Sequence, residues 1–179
     1  MAVSLIVGMI RALADNVAGP SQLLSELNRR LHGRLQNGFA TCLALWLRPD
    51  GYCIAASAGH PSPFLNQHAL ELPGALPLGI APTADYDEVP LSLREGDHFA
   101  LYTDGLLEAR NHRGEIFSFE RLDALFAQRP GAAEATQAAV DFGQDDDITV
   151  LTLTRLGSGQ KSTTQIISLG MLKGIVPTV

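Results

Sequence analysis

Four aspartates at the ends of two strand-like runs have the clearest capacity for chemistry in this sequence. Asp104 directly follows the apolar run HFALYT, and Asp145, Asp146 and Asp147 precede the run ITVLTLTRL. If these runs are antiparallel neighbours, the end of the first lies beside the start of the second, and the carboxylates gather at one sheet edge. Carboxylates that close repel one another unless a cation offsets their charge, and Mg²⁺, Mn²⁺ and Ca²⁺ prefer carboxylate oxygen. The pattern therefore suggests a divalent metal site.

Both motifs also have a simpler interpretation. Asp104-Gly105 is a common turn dipeptide, and three acids in a row before a strand are typical of a solvated loop. Spacing alone does not decide between a metal site and these simpler structures. The sequence contains no Gly-x-Ser-x-Gly elbow, no P-loop and no Cys or His cluster with zinc spacing. His60, between Gly59 and Pro61, is interpreted as bracing a turn rather than as a catalytic acid.

Composition limits the classes of protein to consider. The chain has 179 residues, 46% hydrophobic and 18% charged, which predicts one ordinary globular domain. Its net charge is −6 and Lys and Arg are not clustered, so a nucleic-acid partner is not expected. The apolar start is too short to cross a bilayer and lacks a basic n-region, so membrane insertion is not expected either. Cys42 and Cys53 are interpreted as reduced core thiols of a cytoplasmic protein.

The patterning predicts an α+β fold. Residues 1–17 show a helical stripe that includes Leu5, and Pro20 opens a second helix with leucines on one face. Three hairpins are predicted next, in FATCLALWLRPDGYCIAASAGH, in PFLNQHALEL and in YDEVPLSLREGDHFALYT, with Pro90 at an edge position of the last. Helical patterns return in SFERLDALFAQ and AAEATQAAVDF, and ITVLTLTRL closes the core as a strand. Helices outside and strands inside is the layering we expect.

A succession of motifs resembles one family. The ordered set SAGHPSPFL, LPLGI, GDHFALYTDGLLEARN, GEIFSFERL and DDDITVLTL is similar to the PPM, or type 2C, metal-dependent serine/threonine phosphatases, in their bacterial SpoIIE and RsbU branch. The resemblance runs from the first helix to Leu156, so residues 1–156 are expected to form a phosphatase-like domain and residues 157–179 a linker and tail. It implies a central antiparallel β-sandwich flanked by helices on both faces, in α/β/β/α layers.

The resemblance also implies a mechanism and its ligands. A pair of Mn²⁺ or Mg²⁺ ions would activate a bridging water to attack phosphoserine or phosphothreonine, without a covalent enzyme intermediate. Matched position by position, the metal ligands are Asp104 and Asp146, whereas Asp145 and Asp147 fall in supporting or solvated positions. Gly105 would serve the tight passage from strand to helix. No catalytic side chain other than these ligands is implied.

The sequence departs from the family pattern upstream of its first helix. Two further acidic motifs of the family have no counterpart here, so the chain is expected to be an N-terminally truncated form of the domain with an incomplete binuclear centre. The lost strands would leave a sheet edge open, which makes a second copy of the chain one candidate partner. Two hypotheses stand. In the first, the chain hydrolyses a phosphorylated anti-sigma-factor antagonist; in the second, it is a non-catalytic remnant or binding module.

Overall fold

The chain forms two compact units in a computed structural model that describes residues 2–35, 38–143 and 146–157. Within these ranges the first unit contains residues 2–60 and Leu72–Leu93, and the second contains Pro61–Glu71 and residues 94–157. None of the helices described there is long and apolar enough to cross a membrane. The predicted role of residues 157–179 concerns a segment that, beyond Gly157, lies outside the described residues.

The first unit begins with the two predicted helices, α1 (Ala2–Leu13) and α2 (Pro20–Leu31), joined by a 3₁₀ turn at Ala14–Asn16. Proline is favoured at the first helical position because its missing N–H has no intrahelical acceptor there. The leucines of α2 form one buried face, as predicted: Leu23, Leu24, Leu27 and Leu31. In α1 the buried residues are Ile6 and Leu13, both in the predicted stripe, whereas Leu5 is 40% exposed and lies at its margin.

The sheet of the first unit has the order β1-β2-β5, with β1 (Cys42–Leu47), β2 (Tyr52–Ala58) and β5 (Val89–Ser92) all antiparallel. The first predicted hairpin is confirmed, and Gly51 at its turn has a φ of 91° that favours glycine. Cys42 lies opposite Ala58, away from Cys53, and both cysteines are free and buried. Burial raises the pKa of the Cys42 thiol to about 12 and that of Cys53 to about 11, so both remain protonated near neutral pH.

The second unit has a sheet of order β4-β3-β6-β7 and three helices. Its strands are β3 (Phe64–Leu65), β4 (His68–Ala69), β6 (His98–Tyr102) and β7 (Val150–Thr154), and its helices are α3 (Asp104–Leu107), α4 (Ser118–Phe126) and α5 (Ala132–Phe142). Their core holds the rings of Phe64 and Phe126, stacked with centroids 4.6 Å apart. The mixture of helices and antiparallel sheets confirms the predicted α+β class.

The third predicted hairpin is wrong. Strands β5 and β6 belong to different sheets: β5 pairs with β2, and β6 pairs with β3 and β7. The segment REGD does form a turn, with the Asp97 N–H donating to the Arg94 carbonyl at 3.0 Å, but it joins two sheets. Pro90 does lie on an edge strand, where its missing N–H costs no ladder hydrogen bond.

Candidate metal-binding site at the edge of strands β6 and β7

The two strands that precede and follow the acids are hydrogen-bonded neighbours. Tyr102 at the end of β6 lies opposite Val150 at the start of β7 in an antiparallel register. One further ladder bond extends the pair, because the Thr103 N–H donates to the Thr149 carbonyl at 3.0 Å. The prediction that these strands are neighbours is therefore confirmed, and the segments that carry Asp104 and Asp146 begin at the same sheet edge.

Thr103 fixes the start of the segment that carries Asp104. Its backbone is extended and its side chain buried, and its hydroxyl accepts a hydrogen bond from the Thr149 N–H at 3.0 Å. Asp104 follows as the first residue of α3 and is partly buried. Its own carbonyl accepts the Glu108 N–H at 2.8 Å, which closes the single turn of this short helix. The position of Asp104 is thus set by backbone bonds on both sides.

Gly105 allows the two segments to approach closely. A Cβ atom at this position would collide with the Asp147 carbonyl oxygen and lie 3.1 Å from the Asp147 carbonyl carbon. The neighbour in the way is backbone, which cannot swing aside as a side chain can. The expected role of Gly105 in a tight passage from strand to helix is therefore explained by contact with the acidic segment before β7.

The acids before β7 lie on the surface. Asp146 and Asp147 are both exposed, and the Asp147 N–H donates to the Asp146 Oδ1 at 2.8 Å. Asp145 lies outside the described residues. The structure thus brings the segments of Asp104 and Asp146 to one edge.

The donor set fits one hard divalent cation better than two. Among the described residues, no group of three or more His, Cys, Asp or Glu side chains is placed to hold a metal ion. By donor chemistry, the two predicted ligands Asp104 and Asp146 suit a single Mg²⁺ or Mn²⁺, because Mg²⁺ is commonly bound through one or two carboxylates while water completes its coordination shell. The described residues do not fit a complete binuclear centre, which would need further carboxylates.

Tyr102, in the second unit, and His60, in the first, are titratable side chains with structural surroundings. Burial raises the pKa of Tyr102 to about 12, with a smaller contribution from the charge of Asp123, so this phenol stays protonated. In the first unit, the Ser57 hydroxyl donates to the His60 carbonyl at 3.3 Å and accepts the His60 N–H at 3.2 Å. The His60 Nδ1 is 3.1 Å from the Thr41 hydroxyl. These bonds agree with the interpretation that His60 braces a turn.

A second close approach joins Gly143 to the segment that follows α3. Helix α3 ends at Leu107, and Arg110 forms a β-bridge with Ile116. A Cβ at Gly143 would collide with the Arg110 carbonyl oxygen. The sequence shows only a glycine at this position, and its φ of 140° lies where other residues are strained.

Comparisons with known proteins identify the family of this chain. Residues 1–156 match the family described as Stage II sporulation protein E (SpoIIE). The phosphoserine phosphatase RsbU of Bacillus subtilis is 29% identical over 174 residues, which cover 87% of this chain and 51% of that protein. The chain therefore spans about half the length of this relative.

Solved structures show the same fold. The RsbU and RsbW domains of Rv1364c from Mycobacterium tuberculosis match with a TM-score of 0.66 and 23% identity, over 86% of this chain and 46% of that one. The SiaA-PP2C domain of Pseudomonas aeruginosa matches with a TM-score of 0.65 and 22% identity, over 85% of this chain and 65% of that one. At these identities the likeness is one of fold. Because the family match covers most of its length, the chain belongs to the SpoIIE family.

Proposed function

We propose that this chain takes part in the metal-dependent hydrolysis of phosphoserine or phosphothreonine on a regulatory protein of the anti-sigma-factor-antagonist type. Family membership supports the reaction class, and the relative named RsbU supports a phosphoserine substrate. The observation that carries the proposal for this chain is the packing of Gly105 against the Asp147 carbonyl. That packing holds the segments of Asp104 and Asp146 at one edge of the sheet.

Asp104 and Asp146 would bind the cation through their carboxylates. When bound there, Mn²⁺ or Mg²⁺ lowers the pKa of a coordinated water and neutralises charge on the phosphoryl oxygens. The protein contributes positioning: Thr103 anchors the segment of Asp104 to Thr149, the residue before β7, through two hydrogen bonds of 3.0 Å. Preorganised carboxylates need not rearrange during the reaction, which is the main contribution a protein makes to phosphoryl transfer.

The decisive experiment measures Mn²⁺-dependent hydrolysis of p-nitrophenyl phosphate by the chain, by Asp104→Asn and by Asp146→Asn. We expect both variants to lose at least about 100-fold in rate, because even residues that only support a metal ligand contribute 10- to 100-fold. Glu120→Gln is the matched control, since it makes the same carboxylate-to-amide change at an exposed position in the first turn of α4. Equal rates in Asp104→Asn and in the control would refute the proposed site.

A second function is favoured by one observation, the absence of a three-ligand cluster among the described residues. In that case the chain is a binding module that keeps the fold without hydrolysing phosphate esters. Calorimetry with Mn²⁺ separates the two functions. Binding that disappears in Asp146→Asn supports the metal-dependent enzyme, whereas no binding at millimolar Mn²⁺ supports the binding module.

A further inference from the structure

A loop of basic residues follows the short helix that begins with the proposed ligand Asp104. This 110–113 loop consists of Arg110, Asn111, His112 and Arg113, and it begins three residues after the end of α3. Its backbone packs against Gly143, where a Cβ would lie 2.8 Å from the Asn111 Cα. Gly143 is only three residues from Asp146 in the chain. The start of the loop therefore follows the segment of Asp104 and packs against a residue three positions before Asp146.

Asn111 holds the loop in one conformation. Its side-chain oxygen accepts the backbone N–H groups of Arg113 at 2.9 Å and Glu115 at 3.0 Å, and its amide donates to the Glu115 carboxylate at 2.7 Å. Its backbone adds bonds to Glu115 and Gly114, of 3.0 and 2.9 Å. A loop fixed by five hydrogen bonds loses little conformational entropy when it binds a partner.

The loop presents positive charge on a chain that is negative overall. Arg110, His112 and Arg113 are all exposed, although the whole chain carries a net charge of −6. Neither arginine forms a salt bridge with another residue in the part of the chain that the structure describes. Glu115, the acid of the same turn, is held by Asn111. The two guanidinium groups are thus available to an external anion.

We propose that Arg110 and Arg113 bind anionic groups of the protein substrate, mainly the carboxylates of acidic residues beside the phosphorylated residue. This inference rests on the proposed function, because the loop follows the segment of Asp104 to which metal binding is assigned. Guanidinium groups bind carboxylate and phosphate in a bidentate manner, which suits both sources of negative charge on such a substrate. Charge complementarity of this kind raises the association rate and selects among partners.

The test uses three fluorescein-labelled peptides at low ionic strength, titrated with the full chain in a fluorescence anisotropy assay. The first carries phosphoserine flanked by Asp and Glu, the second carries phosphoserine flanked by Asn and Gln, and the third is the unphosphorylated form of the first. We expect the first to bind about 5- to 10-fold more tightly than the second, as two exposed ion pairs allow. The advantage should shrink with added salt.

Arg110→Gln/Arg113→Gln should remove this preference, whereas Arg29→Gln/Arg30→Gln, which removes the same charge from the exposed surface of α2, should keep it. Circular dichroism checks that both variants fold. A preference that survives in Arg110→Gln/Arg113→Gln overturns the proposal, as does equal loss in the control or failure to bind any peptide. Weakening that affects the two phosphopeptides equally while sparing the third assigns the loop to the phosphate and overturns the preference for carboxylates.

The proposed function is judged separately, by the hydrolysis of p-nitrophenyl phosphate, which has no flanking residues. Absent hydrolysis together with a preference for the acidic peptide would refute the enzyme and keep the anion-binding loop. Mn²⁺-dependent hydrolysis without a preference for the acidic peptide would support the enzyme and refute the anion-binding loop.

Discussion

The two ends of the β6–β7 pair each carry an aspartate, yet they are built differently. At the end where β6 begins, Asp97 accepts the Arg94 N–H at 2.6 Å and the Asn66 side-chain amide at 3.0 Å, one on each carboxylate oxygen. At the end where β6 stops, Asp146 accepts the N–H of its own neighbour Asp147 and stays exposed. The Asp97 carboxylate thus joins two separate segments of the chain. The bond between Asp147 and Asp146 joins only adjacent residues.

The end where β6 begins is dominated by polar side chains that satisfy one another. His98 is buried, with its Nε2 3.2 Å from the Pro130 carbonyl and its Nδ1 3.2 Å from the Thr154 hydroxyl. Because a carbonyl can only accept, the Nε2 donates to the Pro130 carbonyl, and the Thr154 hydroxyl can pair with Nδ1. The Asn66 side-chain oxygen accepts the His98 N–H at 3.0 Å. Polar groups at this end therefore support the sheet itself.

The opposite end depends on close backbone packing at Gly105 and on the bonds of Thr103. The comparison teaches that an acid at the end of a strand does not by itself indicate a metal site. At the end where β6 begins, the Asp97 carboxylate bonds to Arg94 and Asn66, whereas at the other end the backbone of Gly105 packs against that of Asp147.

The largest effect on stability should come from Gly105→Ala. The new Cβ would collide with the Asp147 carbonyl, so the backbone must shift, and overpacking of this kind costs about 2 kcal/mol of the free energy of unfolding. Gly74→Ala is the control, because a Cβ there meets nothing within 4 Å. Urea unfolding monitored by circular dichroism measures the stability of both variants. Equal stability of Gly105→Ala and the control would show that the two segments are not packed as described.

A substitution at the end where β6 begins, Asp97→Ala, should have the next largest effect on stability. This change removes two charge-assisted hydrogen bonds, and we expect a loss of about 1.5 kcal/mol at pH 7 after allowance for solvent screening. The Arg94 N–H and then the Asn66 amide hold the pKa of Asp97 below its ordinary value of 3.8. Since the folded pKa is lowered, this stabilisation is present above the unfolded pKa and is lost as the pH falls through the folded one.

Urea unfolding at a series of pH values therefore tests whether the charge of Asp97 causes the stabilisation, as well as how large the stabilisation is. The difference between the wild type and Asp97→Ala should be constant above about pH 5 and disappear in stronger acid. Metal affinity at the other end should be unchanged. A difference that persists undiminished at pH 2 would mean that the carboxylate charge is not what stabilises this end.

The sequence predicted those elements whose signals are local. The leucines of α2 repeat at helical spacing, and the turn of the first hairpin contains Pro49, Asp50 and Gly51, so each pattern specifies its own structure. The adjacency of β6 and β7 was also predicted, because acids at the end of one strand and the start of another are explained by antiparallel pairing. The proposed ligands Asp104 and Asp146 came from the family pattern and remain a prediction.

The features that the sequence did not reveal depend on contacts between distant residues. A four-residue turn at REGD fits a hairpin equally well whether its flanking strands pair together or with others, and only the register of β5 on β2 decides. Likewise, the approach of Gly143 to Arg110 joins positions 33 residues apart, and no local pattern encodes it. A glycine with an unusual φ is visible in the sequence only as a glycine.

The smallest effect should come from Thr103→Val, which removes one hydrogen bond but keeps a side chain of similar shape. The Thr103 hydroxyl accepts the Thr149 N–H at 3.0 Å, and Thr149 is only partly buried, so water can replace part of the lost bond. We expect a loss of about 0.5–1 kcal/mol in the free energy of unfolding. If Thr103 orients the segment of Asp104, the variant should also bind Mn²⁺ more weakly in calorimetry. Reduced stability with unchanged Mn²⁺ affinity would show that Thr103 has only a structural role. The segment of Asp104 would then be oriented by the packing of Gly105 alone.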